Sequence, residues 1–263
     1  MRAEATMLHR LQRHPFEVDA FFRHSLVLTW ALPPDVLAPL LPPRLRLDTW
    51  RTPAGAELGF LAIALVQTRR LRPTFLPAAL GRDFFLSGYR IFARYQARDG
   101  RSLRGLRILR SDTDSRVMVA SGNALTHYRY RKCEARVVAA GERLDIRIRT
   151  PGREADLDVS ADLASPPALP PGSPFPDLRT ARKYAGPLPF TFDYEEPTHS
   201  IVLIEGVRQN WDPRPVRVEV RECTFLEQPR FAGAVLANAF HVSDIPYRWK
   251  RGVVEALPRA VPA

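Results

Sequence analysis

Hydrophobic and polar residues alternate along much of this chain with the two-residue period of β-strands. Leu144, Ile146 and Ile148 interleave with Asp145, Arg147 and Arg149, and Val216, Val218 and Val220 interleave with Arg217, Glu219 and Arg221. Each pattern puts one face on a core and the other in solvent. Apolar or alternating runs at Glu57–Arg70, Phe84–Tyr95 and Leu103–Leu109 predict further strands. Arg129–Ala139, Arg143–Arg149 and Ala155–Val159 follow one another across short turns such as Ala140-Gly141, the rhythm of an antiparallel meander. Ile201–Val207, Val216–Leu226 and Asn238–Ile245 continue the series.

Helical periodicity is scarce. In Ala31–Asp48, Pro33-Pro34 stops an extended segment and Asp35 is placed to cap a short helix. Val36, Leu37, Leu40 and Leu41 form its apolar face, Pro42-Pro43 ends it, and Leu45, Leu47 and Trp50 begin a strand. Asp177–Tyr184 predicts a second short helix. Ser165–Pro176 (SPPALPPGSPFP) reads as a proline-rich surface loop. Many strands, few helices and no βαβ rhythm predict an α+β, mostly β, protein: one domain over residues 16–251, dominated by an antiparallel barrel-like sheet. Residues 1–15 read as an N-terminal extension and 252–263 as a loose tail. Barrels of this kind enclose either a packed core or a small-ligand cavity.

Composition narrows this picture without redirecting it. Hydrophobic residues make up 45% of the 263 and charged residues 25%, an ordinary soluble balance. Leu58–Val66 is the longest apolar run and is too short for a transmembrane segment. The opening MRAEATMLHRLQRH lacks the apolar stretch of a secretory signal. Cys133 and Cys223 read as reduced thiols of a cytoplasmic protein. Net charge is +11, and all but three of the 39 basic residues are arginine. The arginines are spread along the chain, as in Arg107, Arg110, Arg116, Arg129 and Arg131, so contact with polyanions is expected to be nonspecific rather than a sequence-reading interface.

Motifs of standard catalytic sites are missing: there is no G-x-S-x-G, no Walker A loop and no H-E-x-x-H. The six histidines are far apart in sequence. A metal site from His199, His241 and Glu205 has no support from spacing, and no metal or other cofactor is expected. Asp112 and Asp114, two residues apart and next to Arg116, can act as an acid–base pair, but helix capping near Ser115 is the favoured reading.

The Phe21-Phe22-Arg23-His24 opening, the Ala31–Asp48 sentence and the segment Arg110–Ala135 resemble the acetoacetate-decarboxylase-like superfamily, nearest its uncharacterised YqjF-like branch. The resemblance implies that fold. Ser115-Arg116 then matches the Gly-Arg pair of the decarboxylase site. Asn123 falls where that family carries its Schiff-base lysine, and Ala124 where it carries the second lysine. An amide cannot form an imine, so lysine-dependent decarboxylation is disfavoured. Lys132, among arginines, is the substitute candidate, but strand alternation turns it to the outer face. Arg90, in Ser87-Gly88-Tyr89-Arg90, matches an arginine of the YqjF-like pattern, although Leu86 and Gly88 stand where that pattern commonly has a Glu and an Asn.

The expected site is therefore Arg90, Asn123 and His199 on a cavity wall, with Arg116 and Glu205 behind them. Arg90 and Asn123 are expected to face one small anion, and the residues that would pair with Arg90 in its absence are Asp112, Asp114 or Glu205. The expected ligand is a small carbonyl or carboxylate metabolite, bound with or without transformation. The alternative is a non-enzymatic module whose basic surface meets nucleic acid or anionic lipid. A homo-oligomer stays open.

Overall fold

The computed structural model describes residues 9–184, 186 and 188–258. Its main strands are β1 (Val18–Leu32), β2 (Glu57–Pro73), β3 (Arg82–Gln96), β4 (Ser102–Thr113), β5 (Tyr130–Lys132), β6 (Glu134–Ala140) and β7 (Arg143–Arg149), then β8 (Leu157–Asp162), β9 (Phe190–Glu195), β10 (Ser200–Arg208), β11 (Arg217–Cys223), β12 (Val235–Trp249) and β13 (Val253–Ala256), with short edge pieces at Leu45–Leu47, Trp50–Arg51 and Arg214–Pro215. The helices are α1 (Pro34–Leu37), α2 (Arg116–Leu125) and α3 (Leu178–Arg182), with a few 3-10 turns.

Two sheets form. In the larger, β12, β1, β2, β3, β4, β9 and β10 pair in that order. Gly206–Arg208 of β10 then pair back onto Tyr247–Trp249 of β12, so the pairing returns to its start as a barrel-like sheet. Nearly all of it is antiparallel, as the alternation predicts. Parallel contacts occur where β4 meets β9 and β5. The smaller, four-stranded sheet orders β11-β8-β7-β6 and is the predicted meander with β11 added.

Strand alternation divides the apolar residues between two cores. Leu61, Ile63 and Leu65 of β2 join Leu26 and Leu28 of β1 against Leu144, Ile146 and Leu157 of the small sheet. The interleaved Ala62, Ala64 and Val66 point the other way, into the ring, with Val27, Phe92 and Val242. The same backbone therefore serves two packing layers.

Several local expectations are corrected. Val18–Leu32 is one continuous strand, longer than the sequence pattern marked, and β9 went unmarked. Asp35 does not cap α1: its N-cap is Pro33, with no side-chain hydrogen bond. Asp177 does cap α3, accepting from Thr180 N. The proline-rich loop is irregular, but not wholly on the surface, since Phe175 is buried against Phe60 and Tyr184. The tail is not loose throughout, because β13 pairs with β10; residues 259–263 lie outside the described ones. Of the extension, residues 1–8 also lie outside them. His14 N donates to Leu125 O, His14 O accepts from Gly252 N, and Arg13 pairs with Glu195, so this stretch is sewn to the domain. No helix of the described residues is long and apolar enough to cross a membrane.

Candidate functional site

The interior of the ring changes character along its length. One end is filled by aromatic rings: Phe60 lies 4.2 Å from Tyr184 and 5.3 Å from Phe175, centroid to centroid. Farther along, β1 to β4 turn inward the small residues Ser25, Ala64, Gly88 and Ser111. Too little side-chain volume is present to fill the ring there. A cavity of about 40 Å³ remains, with Arg90, Thr191, Tyr128, Tyr130 and Tyr247 on its wall. That is room for about three waters, or for a carboxylate group.

Among the described residues Arg90 is the one charged side chain on this wall. It lies two residues beyond Gly88 on β3, on the same face, and its guanidinium folds back over the glycine. A Cβ at Gly88 would sit 2.9 Å from Nε and 3.0 Å from Nη2, so only glycine admits this pose. Arg90 Nε has no hydrogen-bond partner. The side chain keeps some accessible surface, and that surface faces the cavity. Burial lowers its pKa, while the phenols of Tyr247, Tyr128 and Tyr130 oppose the fall; no carboxylate contributes. Burial holds all three phenols above their ordinary pKa, so they are neutral at pH 7 and cannot balance the cation. Tyr128 Oη is also buried without a partner. The Thr191 hydroxyl is near enough to influence it, but not in hydrogen-bonding geometry. An uncompensated buried guanidinium costs several kcal/mol, on the order of a lost buried ion-pair partner.

The other expected residues are elsewhere. Asn123 sits near the C-terminal end of α2. Its Oδ1 accepts from Tyr130 N at 2.6 Å and its Nδ2 donates to Tyr130 O at 2.9 Å, so the amide is spent on the backbone. It lines an open surface depression with His127 and Tyr194, not the Arg90 cavity. The shared cavity expected for Arg90 and Asn123 is therefore not formed. The reason is that α2 runs on to Leu125, and the returning chain turns Tyr128 and Tyr130 inward instead. Arg116 opens α2 on the exposed side. His199, at φ 50°, has Nδ1 3.0 Å from Tyr194 Oη. Glu205 pairs with Lys250 at 3.0 Å on the outside.

The carboxylates expected to meet Arg90 have other partners. Arg110 Nε donates to both oxygens of Asp112, at 2.8 and 3.0 Å. Asp114 accepts from Phe85 N at 2.8 Å. Neither caps α2, because Ser115 Oγ does so, accepting from Met118 N at 3.2 Å. None of the three lysines lines the cavity. Lys132 Nζ donates to Cys133 O at 2.6 Å. His241 Nε2 lies 3.1 Å from His24 Nδ1, not with His199. Among the described residues no cluster of three or more potential metal ligands forms. Burial raises both thiols to about 12, so Cys133 and Cys223 are unreactive at neutral pH. Many surface arginines are spent in pairs: Arg94 and Arg104 flank Asp48, and Arg147 and Arg221 flank Asp158.

The wall residues that sequence reasoning passed over are Gly88, Tyr128, Tyr130, Thr191 and Tyr247. A usable signal was present in the spacing Gly88-x-Arg90, which in a strand puts both members on one face. Tyr128 lies in a bend ahead of β5 and Arg129 takes a positive φ, so no strand period ties Tyr128 to Tyr130.

Comparison with known proteins agrees with the fold. The model of the family DUF2071, described as an uncharacterized conserved protein, matches residues 19–250. Among solved structures, an acetoacetate decarboxylase from Legionella pneumophila aligns with a TM-score of 0.59 at 12% identity, covering 90% of this chain and 87% of that one. An acetoacetate decarboxylase-like enzyme from Sphingomonas wittichii aligns at 0.60 and 12%, covering 93% and 94%. The enduracididine biosynthesis enzyme MppR, solved in complex with pyruvate, aligns at 0.54 and 14%, covering 91% and 90%. At these identities the likeness concerns the fold. A search of curated proteins gave no match.

Proposed function

The chain belongs to the DUF2071 family, and from that premise we propose that it binds a small carboxylate metabolite, keto acids included, inside its barrel-like sheet. The observation that carries this reading is the unpaired Arg90 guanidinium in an enclosed cavity lined by neutral phenols. The carboxylate meets Arg90, in one- or two-point contact, in place of the missing internal counter-ion. Tyr128 Oη donates a further hydrogen bond to it. The structurally similar MppR, solved in complex with pyruvate, supports a small carboxylate as the class of ligand. Any transformation of a keto acid proceeds without a lysine imine, since Lys132, Lys183 and Lys250 are all off the cavity wall.

Calorimetric titration tests the reading. Pyruvate and acetate bind saturably, acetamide does not, and Arg90→Leu abolishes the binding. Equal affinity for acetate and acetamide, or retention of acetate binding in Arg90→Leu, contradicts it. Borohydride added with pyruvate leaves the intact mass unchanged. A mass increase that disappears in Lys132→Ala would restore imine chemistry.

A further inference from the structure

The Arg90 cavity has a larger neighbour. A chamber of about 280 Å³ abuts it, and the two share Leu86, Tyr128, Tyr130 and Trp249 as common wall. The rest of the chamber is almost wholly apolar, with Phe16, Val18, Leu71, Phe84, Met118 and Leu125 around it. Among the described residues no acidic one lines it, and the permanently charged groups on its wall are Arg72 and Arg82. His14 and Thr126 are the buried polar residues on its wall among the described residues, and the Thr126 hydroxyl is spent on Gly122 O. Burial and the nearby His127 hold the imidazole near a pKa of about 3, so it is uncharged at pH 7. The chamber's rim is apolar as well: Leu80 is 60% exposed and the adjoining Phe75 68%, with the Phe75 ring 5.5 Å from that of Phe16. Exposed apolar side chains gathered at the mouth of an apolar chamber mark a binding surface rather than scattered chance exposure.

We infer that the ligand is an acid with an apolar tail, its carboxylate at Arg90 and its tail in the adjoining chamber. The inference rests on the carboxylate reading of Arg90 and adds the class of substrate. A two- or three-carbon acid fills the polar cavity and leaves the chamber to water, which finds almost no hydrogen-bonding partners there. A longer aliphatic or aryl-alkyl acid removes that water and buries its own apolar surface. Arg82 on the chamber wall attracts the anionic form, while Arg72 is balanced by Asp19 at 3.6 Å. The shared wall of Leu86, Tyr128, Tyr130 and Trp249 is where head and tail join, and the unpaired Tyr128 hydroxyl lies at that junction.

The test is a homologous series on the intact protein: acetate, butyrate, hexanoate and octanoate, titrated calorimetrically at one pH and salt concentration. The expected affinity rises about fourfold for each methylene until the chamber is full, making octanoate at least about a hundredfold tighter than acetate. Arg90→Leu weakens every member, whereas Met118→Trp, which fills the chamber, weakens octanoate and spares acetate. Equal affinity along the series, all of it lost in Arg90→Leu, overturns the tail while the carboxylate site stands. Affinity that rises with length but ignores Arg90→Leu overturns the carboxylate site, and this inference with it. The wild-type series decides the matter even if a variant fails to fold.

Discussion

The two faces of β2 and β3 make opposite use of one backbone. On the outward face Leu61, Ile63, Leu65, Tyr89 and Ile91 are fully buried against the small sheet. On the inward face the same strands offer Ala62, Ala64, Gly88 and Arg90. The outward face is closed by large, stiff side chains. The inward one is under-filled and holds a charge without a partner. Stability comes from the first. The second gives up packing and electrostatic balance, which is the common signature of a site shaped for something that is not part of the chain.

Acid should produce the largest change, and it probes both faces. His14, on the chamber side, is held near a pKa of about 3 by burial and by His127; His241, on the outward face, is held near about 4 by burial and by His24. In the unfolded chain both return to the ordinary range, near 6.5. The stability owed to their neutral forms is thus present above about pH 6.5. It is lost as pH falls from there toward 4, at up to about 1.4 kcal/mol per proton and pH unit. The melting temperature is expected to drop through this window, with less drop in His241→Asn. A flat profile between pH 7 and 4 contradicts it.

Next comes Ile63→Ala, which opens a void in the outward layer and costs about 2–5 kcal/mol in urea unfolding. It leaves the affinity of folded protein for acetate unchanged; a parallel loss of affinity would erase the distinction between the faces. Asn123→Ala unpairs the Tyr130 backbone and costs about 1–3 kcal/mol, with no direct loss of carboxylate contact. If instead binding disappears while stability holds, Asn123 belongs to the site after all. Gly88→Ala drives a Cβ against the movable end of the Arg90 side chain, which shifts aside with little cost in stability. It lowers acetate affinity by about tenfold through the displaced guanidinium, and unchanged affinity would show that the pose over Gly88 is unimportant.

Alternation made the architecture legible, because a half-buried strand writes its two environments directly into odd and even positions. The small sheet was readable for this reason, from Leu144, Ile146 and Ile148. β1 was harder, since Ser25–Leu32 is buried on both faces and shows no polar alternation. β13 is short and its pairing depends on distant β10, while β9, also short, pairs with β10 across the tight turn at residues 196–199. At the site Arg90 was reached by resemblance, and the structure puts it on the cavity wall. Asn123 was placed by counting without gaps along a segment whose helix is longer than that count assumed. Tyr128 and Tyr130 were not singled out in the sequence. What makes them wall residues is the small volume of Ser25, Ala64, Gly88 and Ser111, and these come together only when the ring closes through Gly206 beside the Tyr247 hydroxyl.

The most direct test is thermal unfolding of wild type and Arg90→Met, each with and without saturating pyruvate. If Arg90 is an unpaired internal cation awaiting an anion, Arg90→Met is at least as stable as wild type without ligand, and pyruvate raises only the wild-type melting temperature. A variant destabilised by about 3 kcal/mol or more, and still stabilised by pyruvate, would mean that Arg90 holds the fold together and that the ligand binds elsewhere.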